Sequence, residues 1–175
     1  MKKYVMGLLA LVLLVACSNK QAKKEVPSMV EEETIVVSET PEKVVNMRDS
    51  LPIEEGKGAV IERRYNGLLP GADVPGIAYD LTLYFQQDSE DGVFNLKMTY
   101  LDAEDGQDKP FSTYGKRKIQ RGIPGDEQAI VYKLFPNDGG KEIAFLLLEE
   151  GDLLLLNEEM ARIDSDLNYT LKLVK

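Results

Sequence analysis

Ile77-Ala-Tyr79-Asp-Leu81-Thr-Leu83-Tyr-Phe85 and Phe94-Asn-Leu96-Lys-Met98-Thr-Tyr100 place large apolar side chains at every second residue. Successive side chains of an extended chain point to opposite faces, so period two marks strands with one face inward and one wet. Between the two stretches lies Glu90-Asp91-Gly92, a turn signal of hairpin type. Working outward, further candidates are 59–65, 111–120, 128–135, 141–149, 153–157 and 168–174. Pro124-Gly125, Asn137-Asp138-Gly139-Gly140 and Glu150-Gly151-Asp152 punctuate them. No long amphipathic helix interrupts the series. Eight short strands joined by hairpin-length loops predict an all-β domain, a small antiparallel up-and-down barrel that closes to remove its exposed edges. Residues 57–175 are enough for one core and one domain. Leu146-Leu147-Leu148 and Leu153 to Leu156 break the alternation. They are expected to face both the core and a covered outer surface, or a partner.

The N-terminus is of another kind. Lys2 and Lys3 precede an apolar run from Tyr4 to Ala16, and Ser18-Asn19-Lys20 ends it. A charged start followed by a short apolar run is the pattern of a secretory signal peptide. The run is shorter than the ~20 apolar residues that a membrane-crossing helix needs. Its end, Leu14-Val15-Ala16-Cys17, resembles the lipobox of bacterial lipoproteins. The resemblance implies cleavage between Ala16 and Cys17 and diacylglycerol on the Cys17 thiol. Residues 1–16 are thus expected to leave as the signal peptide, and the mature chain to be held on a membrane through lipid on Cys17. Cys17 is the sole cysteine, so lipidation would leave no thiol for a disulfide or for thiolate chemistry. Ser18, where an Asp would favour inner-membrane retention, points to the outer membrane of the cell envelope.

The chain carries 21 Lys and Arg against 30 Asp and Glu, a formal charge of −9. Loss of Lys2 and Lys3 with the leader would lower this to −11. An acidic surface repels phosphate backbones, so no nucleic-acid partner is expected. Histidine is absent, and with it the commonest general base and metal ligand. No catalytic set emerges, and the chain is expected not to be an enzyme and to need no cofactor and no obligate metal.

Residues 17–56 form the lipidated N-terminus and a stretch rich in Lys, Glu, Ser and Pro, read as a mostly flexible tether. As a coil, residues 18–56 would span roughly 35 Å. A short helix from Thr40-Pro41 through Val44, Val45 and Met47, or an edge strand at Ile35-Val36-Val37, are the local alternatives.

Residues 65–83, YNGLLPGADVPGIAYDLTL, resemble the signature of the NlpE N-terminal domain family, envelope lipoproteins linked to copper tolerance and envelope stress signalling. The family pattern is Tyr-x-Gly-x-Leu-Pro-Cys-Ala-Asp-Cys-x-Gly-Ile. Tyr65, Gly67, Leu69, Pro70, Ala72, Asp73, Gly76 and Ile77 match it. Phe111-Ser-Thr-Tyr114-Gly115 is similar to a second family segment, and the run from Glu149 to the end is similar to the family's last strands. The resemblance spans roughly residues 58–175 and implies a small lipocalin-like β-barrel. The two motif cysteines are replaced by Gly71 and Val74. A soft metal or a redox disulfide would need the thiolates, so the motif is expected to survive as a shaped turn. Asp73 is expected to bond backbone amides within it.

Other groupings have plainer readings. Asp88, Glu90 and Asp91, and Asp102, Glu104, Asp105 and Asp108, read as solvated loops, their spacing unlike a calcium-binding loop. Lys116-Arg117-Lys118 with Arg121 reads as a surface basic run without a specific ligand; an inward Arg117 would need a carboxylate or a barrel mouth. Met98 reads as core filling, with Met29, Met47 and Met160 scattered. The function expected is therefore that of a lipid-anchored envelope protein in sensing, scaffolding or contact with another envelope protein. A lipocalin-like binder of a small ligand is the alternative, and a copper-handling protein the third, weakened by the missing cysteines and histidines.

Overall fold

Alternation becomes a closed barrel in the computed structural model, which describes residues 45–175. Eight strands follow in order: β1 (Val60–Leu69), β2 (Ile77–Gln86), β3 (Asp91–Glu104), β4 (Gln107–Ile123), β5 (Asp126–Pro136), β6 (Ile143–Leu147), β7 (Leu153–Leu155) and β8 (Thr170–Leu173). Each pairs antiparallel with the next, and β8 returns to β1 through Tyr65↔Leu173 and Asn66↔Lys172. The all-β, up-and-down barrel expected from the sequence is the observed fold, with all eight strands in their expected order. The signal peptide, Cys17 and the alternatives at Ile35–Val37 and Thr40 lie outside the described residues.

Inward positions are the odd members of the opening stretches. Leu81, Leu83, Phe94, Leu134 and Phe145 are fully buried around the barrel axis, with Tyr65 and Leu171 from the closing seam. Each such side chain contributes about 2 kcal/mol on leaving water. The leucine-rich run meets its two expected surfaces. Leu153 belongs to the interior, whereas Leu146 and Leu156 join Ile123, Ala129 and Val131 in a second cluster, with Met160 packed against it. The loop after β7 supplies that cover, pinned by the Leu156↔Arg162 bridge.

Two regions differ from the sequence reading. Strands β3 and β4 run much further than expected, pairing as far as Glu104↔Gln107. Asp102, Glu104 and Asp108, read as loop, thus lie on a protruding hairpin. Only Asp105-Gly106 turns at its tip, and both adopt positive φ. The second region is the end of the tether. Residues 45–54 lie as a strap on the outer wall, with a short 3₁₀ turn, η1 (Met47–Ser50), capped by Asn46. Met47 and Leu51 are buried against Tyr84 and Val93. Two side-chain amides clamp the strap's backbone. Asn95 accepts from Met47 N at 3.1 Å and donates to Val45 O at 2.7 Å. Gln86, buried, accepts from Glu54 N at 2.7 Å and donates to Glu54 O and Gly58 O. Each amide thus offers donor and acceptor together, as a neighbouring strand would.

Asp152 secures the last strand. Its carboxylate accepts from Lys172 Nζ at 2.7 Å and from Leu173 N at 2.9 Å. The lysine first, then the amide, hold its pKa below the ordinary carboxylate value. A depressed folded pKa stabilises fully above the unfolded value of about 3.9, and the contribution is lost as pH falls through the lower folded value. Asp152→Asn is expected to flatten the acid limb of stability below about pH 4. Matching urea midpoints against pH for the two proteins would contradict this assignment.

Candidate functional site

The motif residues occupy the end of β1, the turn after it and the start of β2. Tyr65 and Leu69 point inward and are buried. Gly67 is where β8 crosses closest. A Cβ there would stand 2.8 Å from the Thr170 carbonyl and 3.0 Å from Leu171 Cδ2, so glycine lets the seam close. Gly76 is buried beside Leu68 and Leu69, and its carbonyl accepts from Leu101 N at 3.0 Å. Ile77 opens β2 opposite Leu69 and Tyr100. Pro70, Gly71, Ala72, Asp73 and Val74 form the turn itself, with Ala72 and Asp73 exposed.

Gly71 and Val74 face each other across this turn. A Cβ on Gly71 would fall 2.3 Å from Val74 Cγ2 and 2.9 Å from Val74 O. Val74 therefore packs against the backbone of Gly71, and a side chain added at position 71, where the family pattern carries its first cysteine, would run into the one at position 74, where it carries the second. The residues present supply no donor atom at either, and so do not fit a soft metal. Asp73 departs from expectation: it joins no hydrogen bond within the turn among the described residues. The turn is shaped by the 71–74 contact and by Pro70 and Pro75 rather than by an aspartate.

At the same end, the β3–β4 hairpin extends beyond the neighbouring strands. Tyr100 and Phe111 meet edge to face at 5.4 Å. With Met98, Thr113 and Ile143 they line a cleft of about 560 Å³. Thr113 Oγ1 donates to Asp138 at 2.9 Å, and Asp138 also accepts from Gly140 N. On the outer surface of this end stand exposed Leu68 and Leu167, with Asn168 bonded to Leu68 O.

The basic run takes the inward alternative for Arg117 rather than the favoured surface role. Lys116 and Lys118 are exposed, but Arg117 is completely buried inside the opposite end of the barrel. Strand alternation turns it inward, and Gly92 opposite makes room. Its guanidinium lies over Phe85 at 4.6 Å and Tyr132 at 5.1 Å, and Nη2 donates to Asp91 O at 3.0 Å. No carboxylate forms an ion pair with it among the described residues. Burial pushes its pKa down, while Tyr132 and Asp91 oppose this. Burial likewise raises the pKa of Tyr65, partly offset by Arg63. The clue available in sequence was position parity within β4, which places Arg117 on the side of Thr113 and Gly115.

Neither a search of curated proteins nor one of solved structures returned a match. The family model described as the NlpE N-terminal domain matches residues 65–166, opening at the motif tyrosine and running through β7 into the loop that covers the second cluster. With more than half the sequence under that match, the chain belongs to the NlpE N-terminal domain family.

Proposed function

We propose that this chain is a lipid-anchored, non-enzymatic envelope lipoprotein whose barrel works by contact, as a sensing or scaffold module for another envelope protein. The observation that carries this reading is the filled interior. Tyr65, Phe94 and Phe145 are wholly buried at the middle of the barrel, where a lipocalin-like barrel would hold its ligand. Function then rests on the outside. The motif-bearing end offers exposed Leu68 and Leu167, 52% and 60% accessible, as an apolar contact point. The Cu(I)-handling activity suggested by the family is not part of this reading, since positions 71 and 74 lack thiols.

The anchor is tested by Cys17→Ser. Metabolic labelling with a fatty acid is expected to mark the parent protein and leave the variant unlabelled and uncleaved. Persistent label on the variant would sink the lipoprotein reading. The contact role is tested by photo-crosslinking from positions 68 and 167 in the native host. Adducts with one envelope protein are expected, and a clean absence of adducts argues against it. The mouth cleft favours a second reading, a binder of a small apolar ligand. Native mass spectrometry of protein from its own host separates them: a retained small molecule supports the second.

A further inference from the structure

The interior of the barrel carries two cations at the end opposite the motif. Ile61, Arg63 and Tyr65 alternate inward along β1, as Gly115, Arg117 and Ile119 do along β4. Both guanidinium groups lie against the ring of Phe85, Arg117 at 4.6 Å and Arg63 at 5.8 Å from its centre. Arg117 is completely buried and Arg63 half-buried, so Arg63 stands nearer to solvent. Neither forms an ion pair among the described residues. Their neighbours in the same interior cluster, Ile61, Leu83 and Ile119, are apolar.

Two like charges thus share an apolar interior, with hydrogen-bond donors to spare. Nε and Nη1 of Arg117 have no partner, and neither has the buried hydroxyl of Tyr65. Only Nη2 of Arg117 is engaged, donating to the Asp91 and Ser89 carbonyls at 3.0 and 3.5 Å. Gly92 seats the group: a Cβ there would stand 2.8 Å from Nε. The position is therefore built for a guanidinium. Burial first, with Arg63 adding to it, disfavours the charge on Arg117. A guanidinium nevertheless keeps its proton in a protein. The rings of Phe85 and Tyr132 stabilise a cation, but they do not replace the acceptors that Nε and Nη1 lack. Tyr65 feels the charges of both arginines, so the unpartnered groups converge. A buried charge without a counter-charge is costly, and an anion at short range in a low dielectric offsets that cost.

We propose that this end of the barrel interior holds one small inorganic anion of halide size, bound by Arg117 Nε and Nη1 and by Arg63, with the Tyr65 hydroxyl as a further donor. Packing sets the size. Arg117, Tyr65 and Leu83 are all fully buried, so an organic acid has no path to Nε. Charge sets the sign and the valence. Against two guanidinium groups, one monovalent ion neutralises the buried one and leaves the other at Arg63, where water reaches it. The half-buried Arg63 also marks the side of entry. Such an ion needs no pocket of organic-ligand size, so the inference goes beyond the contact role proposed above and stands or falls separately from it.

The test is urea unfolding of the full-length chain, purified from its host in non-ionic detergent, at neutral pH and fixed ionic strength. Chloride, bromide and gluconate are compared as the anion. An ion that binds only the folded barrel stabilises it in step with its occupancy. Chloride and bromide are expected to raise the urea midpoint saturably above its value in gluconate, which is too large to enter. Arg63→Gln is expected to weaken the apparent halide affinity about tenfold, the factor that corresponds to 1.4 kcal/mol. Arg117→Met exchanges the buried charge for an apolar chain, a kind of replacement that folded proteins often tolerate. It is expected to give the same midpoint in chloride and in gluconate. NMR reads the site in the parent protein, where the Arg117 Nε resonance is expected to shift on exchange of gluconate for chloride. Equal midpoints of the parent in all three anions would overturn the proposal. So would a halide dependence that Arg117→Met retains. If Arg117→Met does not fold, the Nε resonance decides, and its indifference to halide overturns the site.

Discussion

Gly115→Ala is expected to cost about 3 kcal/mol of stability, at the upper end of what overpacking a core typically costs. Gly115 lies in β4, between Phe94 of β3 and Pro136 of β5. A Cβ there would stand 2.0 Å from the Phe135 carbonyl oxygen and 3.1 Å from Phe94 Cε1. The first obstacle is backbone, which cannot swing aside as a side chain can. Its φ is not positive, so space alone forbids alanine. The control is Gly106→Ala at the hairpin tip, where nothing lies within 4 Å of the added Cβ but φ is +72°. That variant carries only backbone strain, about 1 kcal/mol. Urea unfolding of both variants and the parent measures the difference. If Gly115→Ala costs no more than Gly106→Ala, β4 and β5 do not approach as described.

Gly115 also shows what could be read from the chain and what could not. Period two revealed the strands, because Leu81, Leu83, Phe94 and Leu96 all turn inward without interruption. The motif could be placed on a turn, and Gly67 and Gly76 explain themselves once β8 and Leu68 are seen beside them. The strap was not legible. Its attachment rests on two apolar anchors, Met47 and Leu51, and on amides from Asn95 and Gln86, far away in sequence. No periodicity marks so short an element. The extended hairpin was hidden for the opposite reason: Asp102, Glu104 and Asp108 look like a solvated loop because the hairpin rises above the barrel, where both faces are wet. For Arg117 the inward alternative was legible, but the surface role was preferred because of its neighbours. Exposed lysines on either side suggested a surface patch, whereas alternation places every second residue of β4 inside. A cation rarely takes such a position unpaired, and here aromatic faces stand where a carboxylate was expected.

The turn at 71–74 leads to the second large effect. Gly71→Cys combined with Val74→Cys is expected to form a disulfide on air oxidation and, when kept reduced, to bind Cu(I) far more tightly than the parent. Side chains at these two positions are brought together by the turn, since a Cβ added at residue 71 would fall 2.3 Å from Val74 Cγ2. Gly71→Ala alone is expected to destabilise by about 1–3 kcal/mol, because valine's second methyl is in the way. Replacing Val74 with cysteine leaves one γ atom that can rotate to meet the new sulfur, so the double variant relieves the clash with Cγ2, while the approach to the residue-74 carbonyl at 2.9 Å remains in both variants. Closing so short a loop constrains the unfolded chain by about 2 kcal/mol in the chain-entropy account. The non-additivity of single and double variants is therefore diagnostic of contact. Thiol titration before and after reduction reads the disulfide, and competition against a Cu(I) chelator reads the metal. Soft Cu(I) prefers thiolate and thioether ligands, and the parent turn has neither. Tight Cu(I) binding by the parent domain would defeat the exclusion of copper handling and direct attention to Met98 at the mouth cleft. Two free thiols that never pair in the double variant would show instead that residues 71 and 74 do not meet, and that the turn's shape is held by Pro70 and Pro75 alone.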